Sequence, residues 1–158
     1  MSQTLRSMPC APCPLIGTMT EITFVEVNAS RIELRACEIA GENHARGRRV
    51  QILAVDQEQA ERLDDLLWTF KPESFIPHGL WVGSPDEPAQ PVVITTKRDA
   101  VEGMDCLLMM GYSEVDLVSR FSHAVHLVVP DNQERLESSR RYWTLLKDAG
   151  FSLTHQSR

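Results

Sequence analysis

Chemistry in this 158-residue chain would have to come from a few scattered groups. His78 is the strongest lone candidate for proton transfer, since an imidazole titrates near neutrality. Glu73 precedes it in the same predicted loop and could approach it. The plainer expectation is that His78 hydrogen-bonds the backbone of its own turn. His123 and His126 flank one predicted strand, but no third ligand accompanies them at metal-binding spacing. Asp64-Asp65 falls on a helix surface, where solvent, Arg62 or Lys71 would satisfy it. Cys10-Ala-Pro-Cys13 has the spacing of a metal or redox pair. A zinc site needs four ligands, however, and no second pair or nearby histidine pair completes one. A thioredoxin-like motif would follow a strand and open a helix, whereas these cysteines stand in a proline-rich leader. No Ser-His-Asp or Cys-His set emerges from the spacing. No G-x-x-x-x-G-K-[ST] loop occurs, and Glu26-Val27-Asn28-Ala29-Ser30 after the first predicted strand has no glycine to admit a pyrophosphate.

Composition narrows the classes further. A formal net charge of −6 argues against a direct grip on a nucleic-acid backbone, which needs clustered Lys and Arg. Only 6% of residues are aromatic, few for a single-strand stacking platform. No apolar run approaches the roughly 20 residues that span a bilayer. MSQTLRSMPCAPCPLIG lacks the sustained apolar stretch of a secretion signal. The expectation is a single cytoplasmic domain without membrane attachment and without a cofactor.

The positioning elements read as an α/β fold, three-layered and Rossmann-like, with a mostly parallel central sheet and helices on both faces. Residues 1–18 read as a disordered extension, with Met19 a possible start. Ile22 to Val27 is the first strand. Asn28 or Ser30 caps a helix running toward Gly47, with Glu33 completing a capping box. A buried strand spans Arg48 to Val55, and Asp56 caps the next helix. Pro85 to Gln90 is a turn, and Val92 to Thr95, Cys106 to Met110 and Ala124 to Val129 are strands. Glu114 to Ser122 is a short helix. Asp131 or Asn132 opens a last helix that ends at Gly150. Cys37 and Cys106 read as small buried hydrophobes. Residues 19–153 form the domain, and 154–158 a tail.

One segment stands apart. In AVDQEQAERLDDLLWTFKPESFIPHGL, residues 54–80, Ala60, Leu63, Leu67 and Trp68 share a helical face. Lys71-Pro72 then forces extended geometry. Trp68, Phe75 and Ile76 must therefore either plug the core or present a surface to a partner.

This run, in order with others, resembles the chi subunit of bacterial DNA polymerase III. The pattern comprises Ala36-Cys37-Glu38-Ile39-Ala40, Gly47, Arg49-Val50, Asp56, Gln59-Ala60, Arg62-Leu63-Asp64 and Leu67-Trp68. It continues through Pro72-Glu73-Ser74-Phe75-Ile76-Pro77-His78, Val129-Pro130 and Ala149-Gly150-Phe151. The resemblance covers roughly 19–153.

The resemblance implies a non-catalytic replication adaptor. Such a protein links the clamp loader to single-stranded DNA-binding protein (SSB) by capturing the acidic C-terminal tail of SSB. It implies a second surface for the psi subunit or, where psi is absent, another clamp-loader subunit or a helicase. Trp68, Phe75, Ile76 and Pro77 match that partner surface. Arg140 matches a family arginine for the tail, and Trp143 stands where the family has a tyrosine. Thr144 departs from a family lysine, for which Lys147 or Arg141 would substitute. Arg140, Trp143 and Lys147 do fall on one helical face, suited to a terminal carboxylate and a phenylalanine ring. The plain alternative puts Trp143 in the core with solvated cations around it. The competing function is a nucleotide-dependent or hydrolytic enzyme on a Rossmann-like sheet. That enzyme would need titratable groups converging at the strand carboxyl ends.

Overall fold

The computed structural model describes residues 20–71, 75–81 and 90–157. The leader with Cys10 and Cys13, the Pro72-Glu73-Ser74 stretch and most of the turn expected at 85–90 lie outside them. Seven strands are present among the described residues: β1 (Glu21–Glu26), β2 (Val50–Leu53), β3 (His78–Leu80), β4 (Val92–Thr95), β5 (Cys106–Met109), β6 (His123–Val128) and β7 (Ser152–Gln156). They form one sheet in the order β3-β4-β2-β5-β6-β1-β7, and every pairing is parallel. Parallel strands covered on both faces must be apolar throughout, not alternating. Val92-Val93-Ile94-Thr95 and Cys106-Leu107-Leu108-Met109 are buried at every position, as that rule requires.

Among the described residues, four α-helices cover the two faces. Helices α1 (Ile32–Ala45) and α2 (Gln57–Thr69) bury Ala36, Cys37, Ala60 and Leu63 against Ile52 and Leu108. On the other side α3 (Val115–Val118) and α4 (Gln133–Asp148) bury Leu117, Tyr142 and Leu146 with Phe24, Leu107 and Met109. The result is the three-layer α/β arrangement expected. Cys37 and Cys106 lie inside it as small apolar groups, and burial pushes both thiols up to about 12. Neither is a thiolate near neutral pH.

The caps are mostly where the sequence puts them. The Asp56 carboxylate accepts from Gln59 N at 2.8 Å to open α2. The Asn132 side-chain Oδ1 accepts from Arg135 N at 3.0 Å to open α4. Beyond α4, Gly150 takes φ +96°, where a side chain would be strained. We expect Asp56→Ala to lower the unfolding free energy by about 1 kcal/mol, read from urea denaturation. An unchanged midpoint would deny the cap its role.

Three readings are corrected. The capping box at Ser30 does not form, because a 3-10 turn at Ala29–Arg31 intervenes and α1 starts without a side-chain cap bond. Glu33 instead reaches across to α2 and binds Arg62 at 2.9 Å, tying the two helices together. His78 to Leu80, expected as loop, is the edge strand β3. The segment expected to trail beyond Leu153 is strand, for β7 runs to Gln156 and pairs with β1 in the register Phe24↔His155.

Candidate functional site

Alternate residues of a strand face opposite sides. In β1, Ile22 and Phe24 point toward α4, while Val25 points toward α1. At the outer end of the α4 face the sheet opens into a recess of about 550 Å³. Its floor is Phe24, Val128 and Leu136, and its wall is one face of α4 with Ser139, Arg140, Trp143 and Thr144. The spacing 136, 140, 143 is that of helical neighbours three and four apart. Glu26 and His155 close the far side.

Trp143 serves both expected roles. Its ring meets Phe24 edge-on, with centroids 5.0 Å apart and planes at 82°. It is half-buried against the core yet lines the recess. Arg140 is exposed, and its guanidinium has no carboxylate or hydrogen-bond partner among the described residues. Five donors in a fixed fork thus stand beside an apolar slot, a geometry suited to a carboxylate. Arg141 turns away and donates to Ser138 Oγ at 3.2 Å. Lys147 is exposed outside the lining. Of the five residues expected here, Arg140, Trp143 and Thr144 come together, and Arg141 and Lys147 do not.

Sequence reasoning missed Phe24, Glu26, Val128, Leu136, Ser139 and His155. Alternation along the first strand could have pointed to Phe24 and Glu26. His155 had no signal, because the strand carrying it was not foreseen. Its Nε2 lies 2.7 Å from Glu26 Oε2.

A second surface lies at the end of α2. Trp68 is 54% exposed and Phe75 70%, with ring centroids 5.8 Å apart. Ile76, expected beside them, is instead 3% exposed and sits in the core against α1 and α2. Pro77 is half-buried. Extended geometry sends consecutive side chains to opposite sides, so Ile76 anchors the loop and Phe75 is thrust outward. His78 holds this arrangement. Its Nδ1 donates to the Ile76 carbonyl at 2.7 Å, and its Nε2 faces the Asp64 carbonyl at 3.1 Å and carboxylate at 3.2 Å. The Trp68 ring packs on it at 4.6 Å. His78 is thus bonded to backbone, as the plainer expectation had it, and the group facing the Asp64 carboxylate is His78, not Arg62 or Lys71.

The strand carboxyl ends offer less. His126 is buried; its Nδ1–H donates to the Gly111 carbonyl at 3.1 Å, and its Nε2 accepts from the Ser139 hydroxyl at 2.9 Å. These partners assign the neutral tautomer. Burial drives its pKa down to about 4, with Arg135 pressing the same way against the Gly111 hydrogen bond. Among the described residues no three His, Cys, Asp or Glu side chains cluster to hold a metal. No described helix is long and apolar enough to cross a membrane.

The family model for "DNA polymerase III chi subunit, HolC" matches residues 19–154. The chain belongs to the chi subunit family. DNA polymerase III subunit chi of Escherichia coli K12 is 32% identical over 124 residues, covering 78% of this chain and 84% of that one. The subunit chi of Pseudomonas aeruginosa is 26% identical over 138 residues, 85% and 94% of the two chains. That of Haemophilus influenzae is 23% identical over 111 residues, 70% and 77%. The ordered motifs therefore pointed to the correct family. As a chi-family member the chain takes an accessory role in DNA replication.

Proposed function

We propose that this chi-family protein is a non-catalytic cytoplasmic adaptor that captures the acidic C-terminal tail of SSB in the α4 recess. A terminal carboxylate is held by the Arg140 fork, and the last phenylalanine ring enters the apolar recess beside Trp143, over the floor that Phe24 helps to form. The observation that carries this reading is the unpartnered Arg140 guanidinium beside an apolar recess walled by an aromatic ring. The exposed Trp68–Phe75 pair is the docking point for psi or, in its absence, another clamp-loader subunit or a helicase. Exposed aromatics of this size are favoured interface anchors.

Calorimetric titration with the last ten or so residues of the organism's SSB tests the tail pocket, beside a peptide lacking the terminal Phe. Micromolar binding of the first alone is expected, and equal binding of both would remove the slot from the account. Trp68→Ala should weaken the psi, clamp-loader or helicase contact by about tenfold or more while tail binding stays intact. Loss of both together would mean misfolding and leave the surface without support.

A further inference from the structure

We propose that Glu26 and His155 form a proton-dependent specificity element of the α4 recess, in which protonated His155 masks a carboxylate that would otherwise repel an anionic peptide. The inference rests on reading the recess as the tail pocket. Glu26 is the only acidic side chain in its lining among the described residues. A wall carboxylate is an odd neighbour for an incoming acidic tail, since like charges in a partly desolvated site disfavour one another. The structure supplies a remedy from the far end of the chain. The β1–β7 register sets His155 beside Phe24, and its Nε2 reaches Glu26 Oε2 at 2.7 Å, the length of a charge-assisted bond.

The remaining charged groups around Glu26 leave this task to His155. Within the described lining, Arg140 on α4 is the one other ionisable side chain, and it has no partner among the described residues. Behind β1, Glu26 also borders a recess with Arg31, Arg35 and Glu38. There Arg31 pairs with Glu38 at 3.6 Å, and Arg35 with Glu38 at 3.2 Å and Glu42 at 3.4 Å. With His155 protonated, the recess presents Arg140 and a neutralised pair. With His155 neutral, the uncovered carboxylate offsets the Arg140 charge. Tail binding therefore takes up a proton.

The test is calorimetric titration of the full chain with the N-acetylated SSB-tail peptide at about pH 6 and about pH 8, where the peptide carboxylates stay ionised. Wild type should bind about fivefold tighter at the lower pH, the size of a partly exposed charge interaction. His155→Gln should bind weakly at both values. His155→Arg should bind tightly at both, because Glu26 stays covered. Glu26→Gln, placed on a different strand, should bind more tightly than wild type at about pH 8, because no carboxylate is left to uncover. Equal wild-type affinity at the two pH values, or pH dependence that survives in His155→Gln, overturns the inference and leaves the tail pocket standing. Absence of wild-type binding at both values removes the pocket and this element with it. Thermal melts of the three variants guard against misfolding, and the gain of binding at high pH in His155→Arg cannot come from a damaged fold.

Discussion

Arg140→Ala is expected to weaken SSB-tail peptide binding by about ten- to hundredfold, the range for losing a charged hydrogen-bonded partner. The residue is exposed and has no partner among the described residues, so its removal leaves none of their buried groups unsatisfied. The thermal melt should stay within about a degree or two of wild type, as for surface substitutions away from structural features. Arg140→Lys separates charge from geometry. It keeps the cation but loses the planar fork, and its affinity should fall between wild type and Arg140→Ala. Raising salt should weaken wild-type binding only modestly, since few ion pairs form. Full affinity in Arg140→Ala would mean that the tail binds elsewhere on the protein.

Acidification should destabilise the fold through His126, by up to about 3 kcal/mol. The group takes a proton near 6.5 when unfolded but only near 4 in its buried site, and each pKa unit corresponds to about 1.4 kcal/mol. Between those values the unfolded chain binds more protons than the folded one, so stability falls as pH drops from about 6.5 to about 4. The geometry points the same way. Protonation would bury a charge and force the Ser139 bond to reverse, with Nε2–H donating to the hydroxyl oxygen. Urea unfolding of wild type and His126→Gln at about pH 7 and about pH 4.5 isolates the effect. The substitution's own cost moves both values together, whereas the wild-type loss on acidification should shrink in the variant. Identical losses in the two proteins would refute the assignment.

Strands β4, β5 and β6 were legible because a parallel strand buried on both faces leaves an uninterrupted apolar run. The caps at Asp56 and Asn132 and the stop at Gly150 were legible because helix ends need specific side chains. Strand β3 was not, being three residues after a proline with glycine at its centre. Strand β7, Ser-Leu-Thr-His-Gln, is polar because it lies exposed at the sheet edge, and polar sequence at a chain end reads as tail. Missing β7 hid part of the far side of the recess, since His155 stands on it. Trp68 was grouped with Leu67 by helical spacing, but one residue further turns the side chain about 100° along the helix, enough to carry it to solvent. Phe75 and Ile76 are two large apolar side chains in succession, and composition cannot say which one turns inward. The bond from His78 to the Ile76 carbonyl decides it.

The placement of β1 has a consequence for how the protein is made. Its two neighbours are β6 and β7, so the first of the described strands pairs only with the last two of them. Even Thr20, at its threshold, hydrogen-bonds Phe121 across 101 residues of chain. Contacts so remote in sequence form slowly and late. While the ribosome extends the chain, β2, β4 and β5 can join, but β1 must wait with Ile22, Phe24 and Val25 uncovered. A nascent chain with such an apolar strand in hand is a natural client for chaperones. The α4 recess, built from β1, β6, α4 and β7, comes into being only once β7 has emerged.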